Sequence, residues 1–395
     1  MGARAAAWAE GTAVRVLYCS EVQWRSQVSR KHLMVRRFPE DWEVLFLSPL
    51  NLAARENSFV PRRDGARRGV RYWSVPLPKP DARSAFLRSL TPLLEVTGRG
   101  LLTGIASDFR PDVTVCSNIW AARAAAVIRA RGIPVVYDLN DLHPEFFTAR
   151  RAQAEERFRS LIACASEVVC SSRQLQSVAG RGVVIGNGVD LDTFRGQRDL
   201  PLPDAVARSP LASCEKLVVY VGSVDDRIDP ALLVRLLEGL AAAGRSAGLV
   251  LVGRVFDAAL PWKADLERRF ADRVLFTGRA AYEELPRYLS RAAVGVAPFL
   301  TNAKTAAINP NKLYMYAAMN ANVVSTPFSA EVEEQRGSIF IASDPGSFAA
   351  AVLEALDDDS RRATVRARIA EPNSWDAKAA RFVKLLAALA QGAAH

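Results

Sequence analysis

Three carboxylates and an imidazole stand close together directly after the apolar run 135–137: Asp138, Asp141, His143 and Glu145. A carboxylate or imidazole at a strand end can take the proton of a hydroxyl nucleophile, and Asp141 is the first choice for that role. The segment also reads as a strand-end turn in which Asp138 caps the next helix.

Two further segments are built to meet an anion. The apolar run 217–221 leads into Gly222-Ser223, and a helix beginning near Pro230 would aim its N-terminus at that turn. Arg227 lies in the same loop, either charging the site or simply solvated. The segment Asn309-Pro310-Asn311-Lys312-Leu313-Tyr314-Met315-Tyr316 opens a second helix with a lysine in its first turn, where dipole and charge both favour phosphate. A third turn, Gly186-Asn187-Gly188, follows the run 183–185, its glycines allowing positive φ and close backbone approach. Neither a GxGxxG fingerprint nor a Walker lysine occurs, so dehydrogenase and P-loop chemistry is not indicated. The three histidines are too dispersed for a zinc site, and Asp225-Asp226 is a loop pair rather than a strand-end metal motif. The five cysteines are scattered outside any CxxC pair and read as buried free thiols in a reducing cytoplasm.

These segments must be positioned by sheets. Short β-branched runs at 14–19, 44–47, 113–116, 135–137, 167–170 and 183–185 alternate with longer amphipathic stretches. The pattern repeats at 217–221, 249–252, 274–276, 294–297, 323–325 and 339–341. Runs that are apolar throughout predict strands buried between helix layers. Leu232, Leu233, Leu236, Leu237 and Leu240 mark one helix face, and Phe382, Leu385, Leu386 and Leu389 another. Prolines at 201, 203 and 210 interrupt the periodicity between the halves.

The expectation is two doubly wound α/β domains facing a cleft, with ligands outside the carboxyl ends of the strands. Residues 1–12 read as a disordered leader, 13–195 as the first domain, 196–213 as a linker, 214–374 as the second domain and 375–395 as a terminal helix. The chain has 395 residues, 50% hydrophobic and 24% charged, with a formal charge of +10. No apolar run approaches the roughly 18–20 residues that span a bilayer. The positive charge suits nucleotide diphosphates or acidic lipid, while nucleic acid lacks any supporting motif.

In this order the segments resemble the GT-B glycosyltransferases, especially family 4 and its bacterial relatives in polysaccharide and natural-product assembly. Asn187-Gly188-Val189-Asp190 with Phe194 is similar to that family's signature closing the first domain. The stretches 274–278, 282–289 and 294–299 resemble its donor-domain core, and Asn311-Lys312-Leu313-Tyr314 through 323–327 its next helix and strand. Ser374-Trp375-Asp376 resembles the start of the terminal helix, which in that fold crosses back to the first domain.

The resemblance implies two Rossmann-like domains and a hexosyl-type, metal-independent transferase. It would need no cofactor beyond a nucleoside diphosphate sugar, such as a UDP-sugar, as co-substrate. The acceptor would bear a hydroxyl: a glycan, a lipid-linked sugar or a natural product. Asp141, with His143 second, would act as base if the enzyme inverts; a retaining reaction would need none. Gly222, Ser223, Arg227, Arg254, Arg279, Asn311 and Lys312 would hold the donor. Ser20, Trp24, Arg30 and Glu145 would hold the acceptor.

The chain departs from the family where two glutamates eight positions apart are usual: Ala307 and Met315 stand there. The family's glycine before the next strand is replaced by Asn320-Ala321-Asn322. Glu331, Glu333 or Glu334 would then supply the missing carboxylate, or the protein is a silent partner of another transferase. A sugar-nucleotide epimerase is a third alternative. The expected location is the cytoplasm, with peripheral contact to an anionic inner membrane surface through exposed Trp24, Phe86 or Leu87.

Overall fold

The computed structural model describes residues 13–25, 28–50, 57–65, 69–76, 91–146, 150–197 and 200–392. The leader 1–12, Phe86 and Leu87 lie outside them. The chain divides into two units, residues 1–186 with 378–395, and residues 187–377.

The first unit is built on strands β1 (Arg15–Cys19), β2 (Glu43–Pro49), β3 (Arg62–Arg63), β4 (Val70–Val75), β5 (Val113–Cys116), β6 (Val135–Leu139), β7 (Glu167–Cys170) and β8 (Val183–Val184). They form one sheet in the order β3-β4-β2-β1-β5-β6-β7-β8, parallel except for β3 against β4. All six strands expected in this half are present. The two missed, β3 and β4, sit among arginines; β4 alternates buried and part-exposed positions from Val70 to Trp73 and is buried at Ser74 and Val75. Helices Thr91–Phe109, Ala122–Ala130, Arg151–Cys164 and Arg173–Ala179 supply the crossovers.

The second unit holds β9 (Lys216–Val221), β10 (Ala247–Val252), β11 (Val274–Gly278), β12 (Ala292–Ala297), β13 (Asn322–Ser325) and β14 (Phe340–Ile341), in the order β11-β10-β9-β12-β13-β14. All its pairings are parallel. The helix Pro230–Ala242 buries the five leucines whose spacing announced it. Residues 196–213 contain the helix Asp204–Ala207 and a 3₁₀ turn, Pro210–Ser213, whose Val206 and Leu211 belong to this unit's core. The helix Trp375–Gly392 runs on into the first unit, where Phe382 packs on Phe38 and Arg381 donates to the Val184 carbonyl at 3.0 Å. Its buried line is Ala379, Phe382, Leu386 and Ala390, with Leu385 and Leu389 only partly covered. None of the described helices is long and apolar enough to cross a membrane.

Two glycines require comment. Gly253 sits at φ +156°, and a Cβ there would lie 1.8 Å from the Gly222 carbonyl oxygen, so the turns after β9 and β10 touch backbone to backbone. Gly188 is needed for close approach alone: a Cβ would meet the Asn373 carbonyl at 2.6 Å. Neither Gly186 nor Gly188 takes the positive φ anticipated for them. Asn320 does, at +54°, and so fills the place of the family's glycine with the side chain that best tolerates a left-handed turn.

Trp24, His32 and Phe46 of β2 form an aromatic cluster, with Trp24 centred 5.2 Å from His32 and 4.9 Å from Phe46. His32 is fully buried; its Nδ1 accepts from the Ser29 amide at 3.1 Å, which leaves Nε2–H to donate to the Gln23 carbonyl at 3.0 Å. Burial, with Arg36 and Lys31 nearby, lowers its pKa from 6.5 to about 4. A depressed pKa gives stability that is full above 6.5 and lost as pH falls toward 4. Between pH 7 and pH 5 the wild type should lose about 2 kcal/mol from this residue, by linkage of 1.36 kcal/mol per unit. Urea unfolding of His32→Gln should show a correspondingly shallower loss; an unchanged slope would refute the assignment.

Candidate functional site

In the first unit the chain passes from β1 to β2, β3 and β4 on one side of the sheet, then to β5–β8 on the other. The topological switch point therefore lies between the carboxyl ends of β1 and β5, where doubly wound sheets bind ligands. Glu21 follows β1, Ser117 and Asn118 follow β5, and Asp141 and His143 follow β6. Lys31 forms an ion pair with Glu21, and the Ser117 hydroxyl donates to the same carboxylate. Burial alone would raise the Glu21 pKa; Lys31 above all, then His143 and Ser117, more than reverse it.

His143 is 7% exposed. Its Nδ1 is 3.0 Å from the Tyr137 hydroxyl, and its Nε2 has no hydrogen-bond partner among the described residues. Burial lowers its pKa despite the Glu21 and Asp141 carboxylates nearby, so the imidazole is neutral at pH 7. Asp141 is half-buried and accepts from the Asn140 side-chain Nδ2 at 2.6 Å.

Asp138 does not cap a helix. It is fully buried, accepting from the Tyr18 hydroxyl at 2.8 Å and pairing with Arg30 Nε at 3.1 Å. Arg30 also donates to the Gly186 carbonyl at 2.8 Å, which ties the helix Arg30–Val35 to the ends of β6 and β8. Arg30, expected at the acceptor, is thus engaged in a buried ion pair. Trp24 is 5% exposed rather than open, its indole N–H donating to Asp64 at 3.2 Å. Ser20 is fully buried and caps the turn after β1 through the Val22 amide. Glu145 pairs with Arg151 on the following helix.

The second unit has its switch point between β9 and β12. Lys312 reaches it. Its ammonium lies 4.3 Å from the centre of the Tyr220 ring on β9 and 3.9 Å from that of Phe299 after β12. It donates to the Tyr220 hydroxyl at 3.2 Å and is 7% exposed. None of the described carboxylates forms an ion pair with it, and burial drives its pKa well below the ordinary lysine value. A Cβ on Gly222 would be 3.1 Å from the Lys312 nitrogen, so the glycine leaves room beside the charge. The helix Asn311–Ala318 starts at Pro310 with no side-chain cap; its Leu313 amide turns back to the Pro310 carbonyl at 3.2 Å, so only the amides of Asn311 and Lys312 ahead of it are placed to meet an anion. Asn187, from the signature turn, donates to the Asn309 carbonyl at 2.7 Å and holds that start in place.

The other expected donor residues are placed variously. The helix Pro230–Ala242 is capped by its own Asp229, so its N-terminus meets a carboxylate rather than an open site. Ser223 offers its carbonyl to the Tyr220 hydroxyl at 2.6 Å. Arg227 makes a bidentate pair with Asp225, and Asp226 pairs with Lys304. Arg254 is exposed and lies over the Phe256 ring; Arg279 and Asn311 are exposed. Ala307 and Met315 are 3% and 5% exposed, so both glutamate positions are apolar and buried. Of the proposed substitutes, Glu333 is engaged by Arg336, Glu334 is exposed, and Glu331 is buried beside Tyr314. Among the described residues no group of three or more His, Cys, Asp or Glu is placed to hold a metal. Tyr220 and Phe299, which embrace the lysine, were not singled out from sequence. Tyr220 had one signal, standing two residues before Gly222 on the same strand face.

Residues 215–358 match the family model described as glycosyl transferases group 1. TuaH of Bacillus subtilis, described as a teichuronic acid biosynthesis glycosyltransferase, is 25% identical over 264 residues. That match spans 61% of this chain and 64% of TuaH. Among solved structures, sucrose-phosphate synthase from Thermosynechococcus elongatus superposes with a TM-score of 0.72 at 18% identity, covering 95% of this chain and 99% of that one. The Anabaena protein HepE in complex with UDP gives 0.64 at 15% identity, over 95% and 100% of the two chains. The E. coli trehalose-6-phosphate protein bound with UDP-2-fluoro glucose gives 0.69 at 13%, over 94% and 99%. The fold is GT-B, two Rossmann-like α/β units.

Proposed function

We propose, from the GT-B fold and the group 1 glycosyl transferase domain, that this protein moves a sugar from a nucleoside diphosphate sugar to a hydroxyl-bearing acceptor. The observation that carries the reading is Lys312: an ammonium held between two aromatic rings, with no ion-pairing carboxylate among the described residues, beside a glycine and an open helix start. A diphosphate supplies the missing counter-charge, and in leaving it gains negative charge that the lysine stabilises. Two structural relatives carry UDP or a UDP-sugar, which makes a UDP-sugar the first donor to test. Calorimetric titration with UDP, GDP, ADP and dTDP tests the reading; no binding of any of them would sink it.

On the acceptor side Asp141 is the reachable carboxylate at the end of β6, and His143 lies behind it as a neutral imidazole. If the reaction inverts, Asp141→Asn should lower turnover about 10²–10⁴-fold while UDP affinity stays unchanged. Turnover within about three-fold of the parent would remove Asp141 as base and favour a retaining reaction.

A second reading is favoured by the buried, apolar Ala307 and Met315: a silent partner that binds a nucleotide without turning it over. Donor hydrolysis measured alongside binding separates the two. The cytoplasm and metal independence belong to the same proposal; activity unchanged by EDTA is the expected result.

A further inference from the structure

The division of the chain exposes an asymmetry of charge. The first unit has 30 lysines and arginines against 17 aspartates and glutamates, a net +13; the second has 22 against 25, a net −3. Within residues 51–100 alone, ten basic residues face four acidic ones.

The most exposed large apolar side chains fall in the same region. Phe59 is 68% exposed, Val60 58%, Leu93 59% and Val96 54%. Phe59 and Val60 are separated by Pro61 alone from Arg62 and Arg63, both exposed on β3, at the sheet's edge. The Ser74 amide donates to the Ser58 carbonyl at 2.8 Å, so Phe59 and Val60 start beside the carboxyl end of β4. The helix Thr91–Phe109 ends with Phe109 under Arg15 and Arg71, near the amino ends of β1 and β4. At 19 residues it extends about 28 Å at 1.5 Å per residue. Leu93 and Val96, in its first two turns, are therefore carried toward the carboxyl end of the sheet as well.

We propose that the first unit docks on an anionic lipid bilayer through this surface: Phe59, Val60, Leu93 and Val96 enter the headgroup layer while Arg62 and Arg63 meet lipid phosphates. Charge brings the unit to the surface and apolar insertion holds it there, the two signals that reversible binding needs. A soluble polyanionic glycan would satisfy the arginines but gives no reason for four apolar side chains to stand in water. Docking at the carboxyl end of the sheet turns the β1–β5 switch point toward the membrane, where a lipid-linked acceptor would be presented. The proposal stands apart from nucleotide binding and survives or fails without it.

The full-length protein is spun with vesicles of phosphatidylcholine alone, or of phosphatidylcholine with phosphatidylglycerol. The parent should sediment with the anionic vesicles and release as salt is raised. Phe59→Ser with Val60→Ser should weaken partition about ten-fold or more, as expected for losing two partly buried apolar side chains. Arg62→Glu with Arg63→Glu should weaken it at least as much at about 0.1 M salt. All four positions are exposed, so circular dichroism should report unchanged folding. Failure to sediment with anionic vesicles overturns the proposal. So does binding undiminished by the serine pair, which would leave charge alone as the attraction.

Discussion

Lys312→Met should give a protein that melts higher than the parent and, under the proposed function, no longer binds a nucleoside diphosphate. The two effects share one cause. Burial against Tyr220 and Phe299 lowers the pKa of Lys312 well below its ordinary value. A depressed pKa means the unfolded chain takes up the proton first. Stability is therefore full above the unfolded pKa near 10.5 and falls as pH drops toward the folded value, so at neutral pH the lysine opposes folding. Methionine fills a similar volume without charge, and each kcal/mol recovered should raise the melting temperature by about 2–4 °C in a unit of this size. The same change removes the cation that a diphosphate would pair with, so UDP should no longer raise the melting temperature as it would in the parent. Thermal scans with and without UDP report both effects. A variant that melts lower and still shifts with UDP would place the nucleotide elsewhere.

Asp138→Ala is expected to have the largest effect on folding. Asp138 is fully buried and satisfies both the Tyr18 hydroxyl and the Arg30 guanidinium. Removing the carboxylate leaves a buried arginine without its partner, which costs about 3–5 kcal/mol. The first unit should melt about 6–20 °C lower, on the scale of 2–4 °C per kcal/mol. Under the proposed function UDP affinity should be unchanged, which distinguishes loss of a structural ion pair from loss of a donor contact. Melting within about 2 °C of the parent would show that Arg30 finds another partner. The replacement bears on function because Asp138 shares a strand and loop with Asp141 and His143. From sequence alone Asp138 looks like a turn residue and Arg30 like a ligand contact; in the fold they satisfy each other.

Much of the architecture is legible in the chain because its signals are local. All twelve anticipated strands form, since runs of Val, Leu and Ile with apolar residues on both faces have few ways to be buried except between helices. The leucine face of 232–240 and the start of the Lys312 helix follow from spacing in the same way. The strand β4 was hidden by the arginines around it, because its alternation of buried and part-exposed positions lasts only from Val70 to Trp73.

The residues of the two sites were partly legible. Lys312 could be singled out because a lysine in the first turn of a helix after an apolar strand is a local pattern. Its environment could not. Tyr220 is 92 residues away in sequence, Arg30 lies 108 from Asp138, and Tyr18 lies 120 from it. Spacing along the chain says nothing about such pairs, because strand order in a parallel sheet is set by long crossovers and by which faces must be buried together.

The sequence by itself determined that two mainly parallel sheets would form, where twelve of their strands would lie, and that loops of a composition suited to an anion would follow them. Only the tertiary structure decided that β1 neighbours β5 and β9 neighbours β12, placing the switch points at Glu21 and Ser117 and at Lys312. It also separated the arginines that hold the fold together, such as Arg30, from those that face solvent on the first unit, such as Arg62 and Arg63. An arginine's role depends on whether a carboxylate is buried beside it, and burial is a property of the folded chain.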